Sequence, residues 1–153
     1  MTISRRLHWW SVGLVLCGFG LGWLMVAMPL SALLLKFLLY QLHKTIGLIV
    51  FGLTSVRIAI RRRQGLRPDI LQAVLYGLLL AVPVMGYLTA ATSMTGVPTL
   101  FLGFIPVPHL VSPNAAWSAI VTPVHRALAI ALILAAGGHA AGSSRRVRRV
   151  RRG

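Results

Sequence analysis

The sequence WSAIVTPVHRALAIALILAAGGHAA, residues 117–141, decides the fold. It contains one charged residue, Arg126, among Ala, Leu, Ile and Val. A helix needs about 20 mostly apolar residues to cross a bilayer. The stretch therefore predicts a transmembrane helix, and the unusual residues within it are His125 and His139.

Three further apolar runs precede this stretch, at residues 9–28, 37–60 and 70–91. Each is long enough to span a membrane. We therefore expect an all-α integral membrane protein, a four-helix bundle that forms a single domain over residues 1–153. Residues 92–116 contain four prolines, which leave little room for a continuous helix and predict a long loop on the bilayer surface.

The distribution of basic residues predicts the orientation in the membrane. Lys36, Lys44 and Arg126 lie towards one side of a four-helix chain. The other 13 basic residues lie on the opposite side: Arg5, Arg6, Arg57, Arg61, Arg62, Arg63, Arg67, Arg145, Arg146, Arg148, Arg149, Arg151 and Arg152. Because Lys and Arg favour the cytoplasmic side, both termini are expected in the cytoplasm. The basic tail, residues 143–153, could bind nucleic acid, but its place beside a span favours a topology signal that also contacts anionic lipid.

The composition excludes several classes of chemistry. The chain is 57% hydrophobic and 11% charged, with a formal net charge of +15, whereas a soluble domain is roughly 25% charged. Asp69 is the single acidic residue, so catalysis by a carboxylate pair and carboxylate-rich magnesium or calcium sites are excluded. Cys17 is the single cysteine, which excludes an internal disulfide, a Cys-x-x-Cys redox pair and c-type haem attachment. Histidine remains as the residue type for cofactor chemistry.

Four of the five histidines lie within the spans or at the start of one, where an ionisable residue indicates a functional site. His125 and His139 are 14 residues apart, so they share a helix face at depths about 21 Å apart. His43 lies near the outer end of the second span, at the level of His125, and His8 lies near the level of His139. Zinc needs four ligands at one point, whereas two b-type haems, each held by two imidazoles, need only these two pairs.

Basic residues beside the histidines could bind the anionic haem propionates. Lys44 follows His43, Arg126 follows His125, and Arg57 lies 14 residues after His43 at the level of the inner pair. The alternative for Arg57 is an arginine that extends to the cytoplasmic surface. Glycines near the ligands could make room for porphyrins, or could simply permit close helix packing. These glycines are Gly18, Gly22, Gly47, Gly137 and Gly138.

Two further expectations concern the surroundings of the histidines. Because Asp69 is the only carboxylate, we expect the second ring nitrogen of each ligand to bond to a backbone carbonyl or a hydroxyl. His109 lies in the outer loop, within PVPHLVSP at residues 106–113. It could contact a quinone or another substrate above the outer haem, or it could be an ordinary interfacial histidine.

Five segments together resemble the bacterial cytochrome b561 family. They are RLHWW at 6–10, LHKTIGLIVFGLTSVR at 42–57, LYGLLLAVPVMGYL at 75–88, GVPTLFLGFIPVP at 96–108 and HRALAIALILAAGGH at 125–139. The resemblance covers almost the whole chain and implies a cytochrome of the bacterial inner membrane with two haems b, one near each face. It implies that the iron ligands are His8, His43, His125 and His139. Two departures leave these ligands untouched: Gln72 stands where family members often carry histidine, and the tail SSRRVRRVRRG at 143–153 lacks the further histidines that many members have.

The resemblance implies electron transfer across the inner membrane between the quinone pool and a second redox partner. Some family members are viewed as superoxide oxidases that reduce ubiquinone, and the basic residues Lys36, Lys44 and Arg126 could attract that small anion. The related cytochrome b subunits of Ni-Fe hydrogenases and formate dehydrogenases suggest an alternative, a haem-bearing anchor subunit with a soluble redox partner. A third interpretation, a haem-free channel or assembly factor, predicts a colourless protein.

Overall fold

The chain forms four long helices and one short hairpin in a computed structural model that describes residues 3–150, with side chains described for residues 5–142. The helices are α1 (Ile3–Ala27), α2 (Leu33–Arg63), α3 (Ile70–Thr92) and α4 (Ala115–Val150). A 3-10 turn, Leu30–Ala32, precedes α2. Between α3 and α4, the strands β1 (Thr99–Phe101) and β2 (Ile105–Val107) pair in antiparallel orientation.

All four helices are long and apolar enough to cross a membrane. Consecutive helices pack against each other, so the chain runs up and down through the bundle. The predicted all-α, four-helix membrane fold is confirmed. The cytoplasmic location of both termini stays a prediction.

The interior of the bundle contains few fully buried apolar side chains. Among the described residues these are Ile46, Val50, Ala91, Val121 and Leu132. Buried polar side chains are about as common: Ser11, Gln41, Thr45, Thr54, Thr92 and Thr99. Large apolar side chains such as Trp23 and Leu34 are mostly exposed, as expected where lipid rather than protein surrounds the helix. The fully buried positions among the described residues are therefore shared between apolar and polar side chains.

The predicted outer loop, residues 92–116, contains no continuous helix beyond the ends of α3 and α4, but it contains the β1–β2 hairpin, which was not predicted from the sequence. The prolines exclude a helix but not a short strand, because Pro106 lies in an edge strand, where its missing N–H costs no ladder hydrogen bond. The reversal between the strands uses two residues with positive φ, Leu102 at 55° and Gly103 at 86°. The hairpin lies against α2 at the end of the bundle opposite the α2–α3 connection, and this end is called the outer end below after the predicted orientation.

Side-chain caps start the two helices on the C-terminal half of the chain. Asp69, the only acid, accepts a hydrogen bond of 2.8 Å from the Gln72 backbone N–H at the start of α3. Asn114 does the same for α4, accepting from the Trp117 N–H at 3.0 Å. At its other end α4 continues to Val150, beyond the predicted end of the span at residue 141. Arg151 and Arg152 of the predicted tail lie outside the described residues.

Candidate functional site

Two of the predicted ligands, His43 on α2 and His125 on α4, face each other across the outer half of the bundle. Their ring centroids are 6.2 Å apart and the ring planes are nearly perpendicular, at 83°. Two imidazoles that both bound one metal ion would have centroids about 6 Å apart, from a metal–nitrogen bond of about 2.0 Å and about 1.1 Å between Nε2 and the ring centre. The separation of the outer pair would therefore allow His43 and His125 to hold one ion between them.

Both imidazoles of the outer pair are held by main-chain carbonyl groups. His43 Nδ1 lies 2.9 Å from Gly18 O on α1, and His125 Nδ1 lies 3.0 Å from Val82 O on α3. A carbonyl oxygen can only accept, so in each ring Nδ1 carries the proton and donates it. Each Nε2 then keeps its lone pair, which is the form of histidine that ligates a metal.

Two glycines provide the space that these imidazoles occupy. A Cβ atom on Gly22 would lie 3.1 Å from His43 Cε1, and one on Gly86 would lie 3.0 Å from His125 Cε1. Both separations are shorter than ordinary van der Waals contact. Gly18 is close-packed for a different reason, because a Cβ there would lie 3.2 Å from Ile46 Cγ2. Gly18 and Gly22 were predicted to make room for porphyrins or to permit close helix packing, and the contact at Gly18 is of the second kind. Gly86 was missed, because nothing in the spacing along α3 distinguishes it.

The other predicted glycines do not contact these rings. A Cβ on Gly47, Gly137 or Gly138 would meet no atom within 4 Å. Of the three, Gly47 borders the cavity beside the outer pair. These positions have open space around them, and close helix packing does not account for them.

A cavity of about 520 Å³ adjoins the outer pair, which is within the size range of small-molecule and cofactor sites. Its walls come from all four helices and the hairpin, and most of the lining is apolar. Lys36 and Lys44 line it, whereas Arg126 is exposed and does not. Lys44 Nζ donates to Pro98 O at 3.3 Å, and Lys36 Nζ donates to Met28 O at 2.8 Å. Of the two residues predicted beside the outer ligands, the structure places Lys44 at the cavity.

The outer pair fits a haem better than a bare metal ion. Within the described part of the chain, no three side chains of His, Cys, Asp or Glu converge on one point. A structural zinc site needs four such ligands, whereas a porphyrin supplies four nitrogen atoms and needs only two axial ligands from the protein. Two neighbouring imidazoles, each bonded to a carbonyl through Nδ1 and both lining a largely apolar cavity, would satisfy that need.

The inner predicted residues are arranged differently. Arg57 reaches from α2 to α1, where its guanidinium lies 3.3 Å from His8 Nδ1 and donates to Ser11 Oγ at 3.4 Å. The same group lies over the Tyr76 ring of α3, 5.6 Å from its centroid. His139 is close enough to His8 to interact with it electrostatically. The structure thus brings His8, Arg57 and His139 to one end of the bundle.

The Arg57 contact does not match the tautomer that ligation requires. A guanidinium can only donate, so His8 Nδ1 accepts in this contact and the proton of the neutral ring lies on Nε2. An iron ligand needs the opposite arrangement, with the lone pair on Nε2. The expected hydrogen bond to a carbonyl or hydroxyl is present for His43 and His125, and His8 instead contacts an arginine.

The hairpin covers the outer end of the cavity through polar contacts that sequence reasoning missed. The buried Gln41 donates to Pro98 O and accepts from the Leu100 N–H, both at 2.9 Å. One turn along α2, Thr45 Oγ1 accepts from the Leu102 N–H at 3.0 Å. The sequence signal for these contacts is that Gln41 and Thr45, two polar residues four positions apart, lie in an apolar span. Polar side chains in a membrane need hydrogen-bond partners.

Paired imidazoles beside an apolar cavity in a four-helix membrane bundle are the features of a membrane protein that could hold a haem-like group. A comparison with protein families finds that the model of the prokaryotic cytochrome b561 family matches residues 2–151. The chain therefore belongs to the prokaryotic cytochrome b561 family. A comparison with curated proteins finds no significant match. The family is one of membrane haem b proteins that transfer electrons and interact with quinones, and this chain is a multi-pass member of it.

Proposed function

We propose that this protein is a dihaem b-type cytochrome of the bacterial inner membrane, which transfers electrons across the bilayer between the quinone pool and a second redox partner. His43 and His125 hold the outer haem. His8 and His139 hold the inner haem. The two histidine pairs are about 21 Å apart along the helices. Because porphyrins are wide, the edge-to-edge distance between the two haems is shorter than the distance between their irons.

The geometry of the outer pair is the observation that supports this proposal most strongly. The centroid separation of 6.2 Å suits one iron between two imidazoles, and the carbonyl bonds to both Nδ1 atoms leave both Nε2 atoms available. When bound, the haem supplies one-electron redox chemistry. The chain's own contribution is to hold the ligands in the correct tautomer and to exclude water with an apolar cavity.

For the inner haem the proposal assigns a second task to Arg57. Because a histidine that ligates iron through Nε2 carries its proton on Nδ1, Arg57 would have to leave His8 if His8 held the inner haem. Its guanidinium would then be available to an anionic propionate, for which bidentate geometry favours arginine. At the outer haem, Lys44 is the residue proposed for the same role, because it lines the cavity, and the exposed Arg126 contributes longer-range positive charge.

The first experiment measures the haem content of the detergent-purified protein, using the dithionite-reduced minus oxidised spectrum and pyridine haemochrome quantitation. We expect a low-spin b-type spectrum and two haems per chain. His125→Ala and His139→Ala should each lose one haem, and the two variants should lose spectrally different haems. His109→Gln is the matched control, since it removes the one histidine that is not a proposed ligand, and it should retain both haems.

Several results would contradict the proposal. A colourless wild-type protein removes haem function altogether. If the wild type contains one haem per chain, and that haem is lost in His125→Ala but kept in His139→Ala, the outer site is supported and the proposed inner site is rejected. Stable copurification with a soluble dehydrogenase subunit would instead support the anchor-subunit function.

A more specific form of the function is superoxide:ubiquinone oxidoreduction, which the lysines at the cavity favour. Lys36 and Lys44 both line the cavity, and the sole acid, Asp69, caps α3 at the opposite end of the bundle. A small anion is therefore attracted to the outer side. The rate of haem reduction by enzymatically generated superoxide should be several-fold lower in Lys36→Gln than in the wild type. High salt should lower the rate further, because it screens the remaining charges. Unchanged rates would exclude superoxide as the electron donor.

A further inference from the structure

We propose that Thr99 and His109 form a proton relay from the outer cavity to the outer surface, which accepts the proton of a quinol oxidised in that cavity. The inference rests on the proposed function, and it deepens that function by placing quinol oxidation at the outer haem. It concerns a side chain, His109, that the haem sites do not use.

The relay begins at a buried hydroxyl on the cavity wall. Thr99, the first residue of β1, is 4% exposed and lines the cavity. Its Oγ1 lies 2.9 Å from Nε2 of His109. When His109 carries its proton on Nδ1, Nε2 accepts from the Thr99 hydroxyl, and the hydroxyl oxygen can in turn accept from a group in the cavity. The partly exposed imidazole connects this buried hydroxyl with the outer surface.

Tyr87 holds His109 in this position from α3. The Tyr87 hydroxyl donates to Pro108 O at 3.0 Å and accepts from the Leu110 N–H at 2.7 Å, so it binds the backbone on both sides of His109. The two rings also meet edge to face, with centroids 6.1 Å apart. One tyrosine thus positions both the main chain and the ring, which is more than an unspecialised surface histidine requires.

The charges around His109 keep it ready to accept a proton. Partial burial, followed by the charge of Lys44 on α2, lowers the pKa of His109 below its ordinary value of 6.5. The other titratable group that faces it is Tyr87 on α3, and no acid is near because Asp69 caps the far end of α3. The ring is therefore neutral at pH 7, which is the state that a proton acceptor needs.

The chemistry of the relay balances for each electron. Oxidation of a quinol to a quinone releases two electrons and two protons. When bound, the outer haem would accept the two electrons one at a time. With the first electron the quinol O–H proton passes to Thr99 Oγ1, the Thr99 proton passes to His109 Nε2, and His109 releases its Nδ1 proton to the outer solvent. The ring then carries its proton on Nε2, so it must turn or exchange that proton before Nε2 can accept the second one.

The test uses the haem-loaded protein, anaerobic decylubiquinol and stopped-flow absorbance of the haem. His109→Gln and Thr99→Val should each slow quinol-driven haem reduction by about tenfold or more, because a positioned proton acceptor contributes at least that much. Thr99→Ser, which keeps the hydroxyl, should retain most of the wild-type rate. Ser112→Ala, an exposed position in the same loop, is the control and should not change it.

The pH dependence separates a relay from a structural role. Protonated His109 cannot accept, so the wild-type rate should fall as the pH falls through the pKa of His109, and the His109→Gln rate should be flat in that range. A second readout is independent of turnover: nitrogen-15 NMR of ring-labelled histidine should show His109 with its proton on Nδ1 at pH 7 and a pKa below 6.5. In Thr99→Val this hydrogen bond should be lost from the spectrum.

Three outcomes would overturn the inference. The first is a wild-type rate of quinol oxidation that His109→Gln leaves unchanged while haem content is intact. The second is a slowed His109→Gln variant that keeps the wild-type pH profile, which indicates a structural role. The third is wild-type protein that contains both haems but is not reduced by quinol. This result removes quinol oxidation at the outer haem together with the relay, and it leaves the proposed function only with quinone as the electron acceptor.

Discussion

Gly86 shows how one missing side chain shapes the outer site. The residue lies on α3, where a Cβ would be 3.0 Å from Cε1 of His125 on α4. The imidazole has little freedom to retreat, because its Nδ1 is bonded to Val82 O on the same helix. Gly86 and Val82 are four residues apart and share one helix face, so α3 offers the ring both an acceptor and the space beside it.

We predict that Gly86→Ala disrupts the outer site. Crowding of this kind costs about 1–3 kcal/mol, and the displaced ring loses its alignment with His43. Measured by pyridine haemochrome, the variant should lose up to one haem per chain and should melt at a lower temperature.

The control for this prediction is Gly77→Ala on the same helix. A Cβ there meets no atom within 4 Å, so the helix should gain up to about 1 kcal/mol from the better helix former. The two substitutions are chemically identical and have opposite expected signs. Equal haem content in both variants would show that the space at Gly86 is not needed.

Part of the site could be predicted from single residues and part could not. The pairing of His43 with His125 follows from their positions along two spans, because helical rise converts sequence distance into depth. The roles of Gly86 and Val82 O depend on which face of α3 meets α4, and no spacing within α3 reveals that. For the same reason the contact between Arg57 and His8, 49 residues apart, was not foreseen.

The hairpin is the element that the sequence did not predict. Its strands are three residues each, too short for a pattern of alternation to be visible. Its position depends on hydrogen bonds from Gln41 and Thr45 of α2. The partners in these bonds are separated by 57 or 59 positions in the sequence. The four helices, by contrast, were predictable because each needs only a local property, an uninterrupted apolar length.

We predict that Gln41→Leu loosens the hairpin. The change leaves the Leu100 N–H and Pro98 O without their partner, at a cost of about 1–3 kcal/mol. Hydrogen exchange at the Leu100 and Leu102 amides should therefore accelerate by about tenfold or more. Mass spectrometry of peptides covering residues 96–108 would measure it.

Ser55→Ala serves as the control for the hairpin prediction. Ser55 also lies on α2, but its hydroxyl bonds to Phe51 O within the helix and faces outward. Exchange in the hairpin should stay at the wild-type rate in this variant. Unchanged exchange in Gln41→Leu would mean that other contacts hold the hairpin.

At the scale of the whole molecule, the asymmetric distribution of basic residues predicts one orientation. In a Cys17→Ser background, Ser112→Cys in the α3–α4 connection should react with a membrane-impermeant maleimide in intact spheroplasts. Gln64→Cys in the α2–α3 connection should react only after the membrane is permeabilised. Both positions are exposed in the structure, so access depends on the side of the membrane alone. The reverse labelling pattern would place both termini outside.

The carbonyl groups of Gly18 and Val82 have a consequence for the tolerance of the protein to mutation. Every amino acid carries the same main-chain oxygen, so no substitution at position 18 or 82 deletes the atom that selects the tautomer of His43 or His125. A mutational scan of these two positions would report on size and shape but not on the hydrogen bond itself. The position of the backbone therefore determines that each ring carries its proton on Nδ1. Only a movement of a whole helix would break these hydrogen bonds.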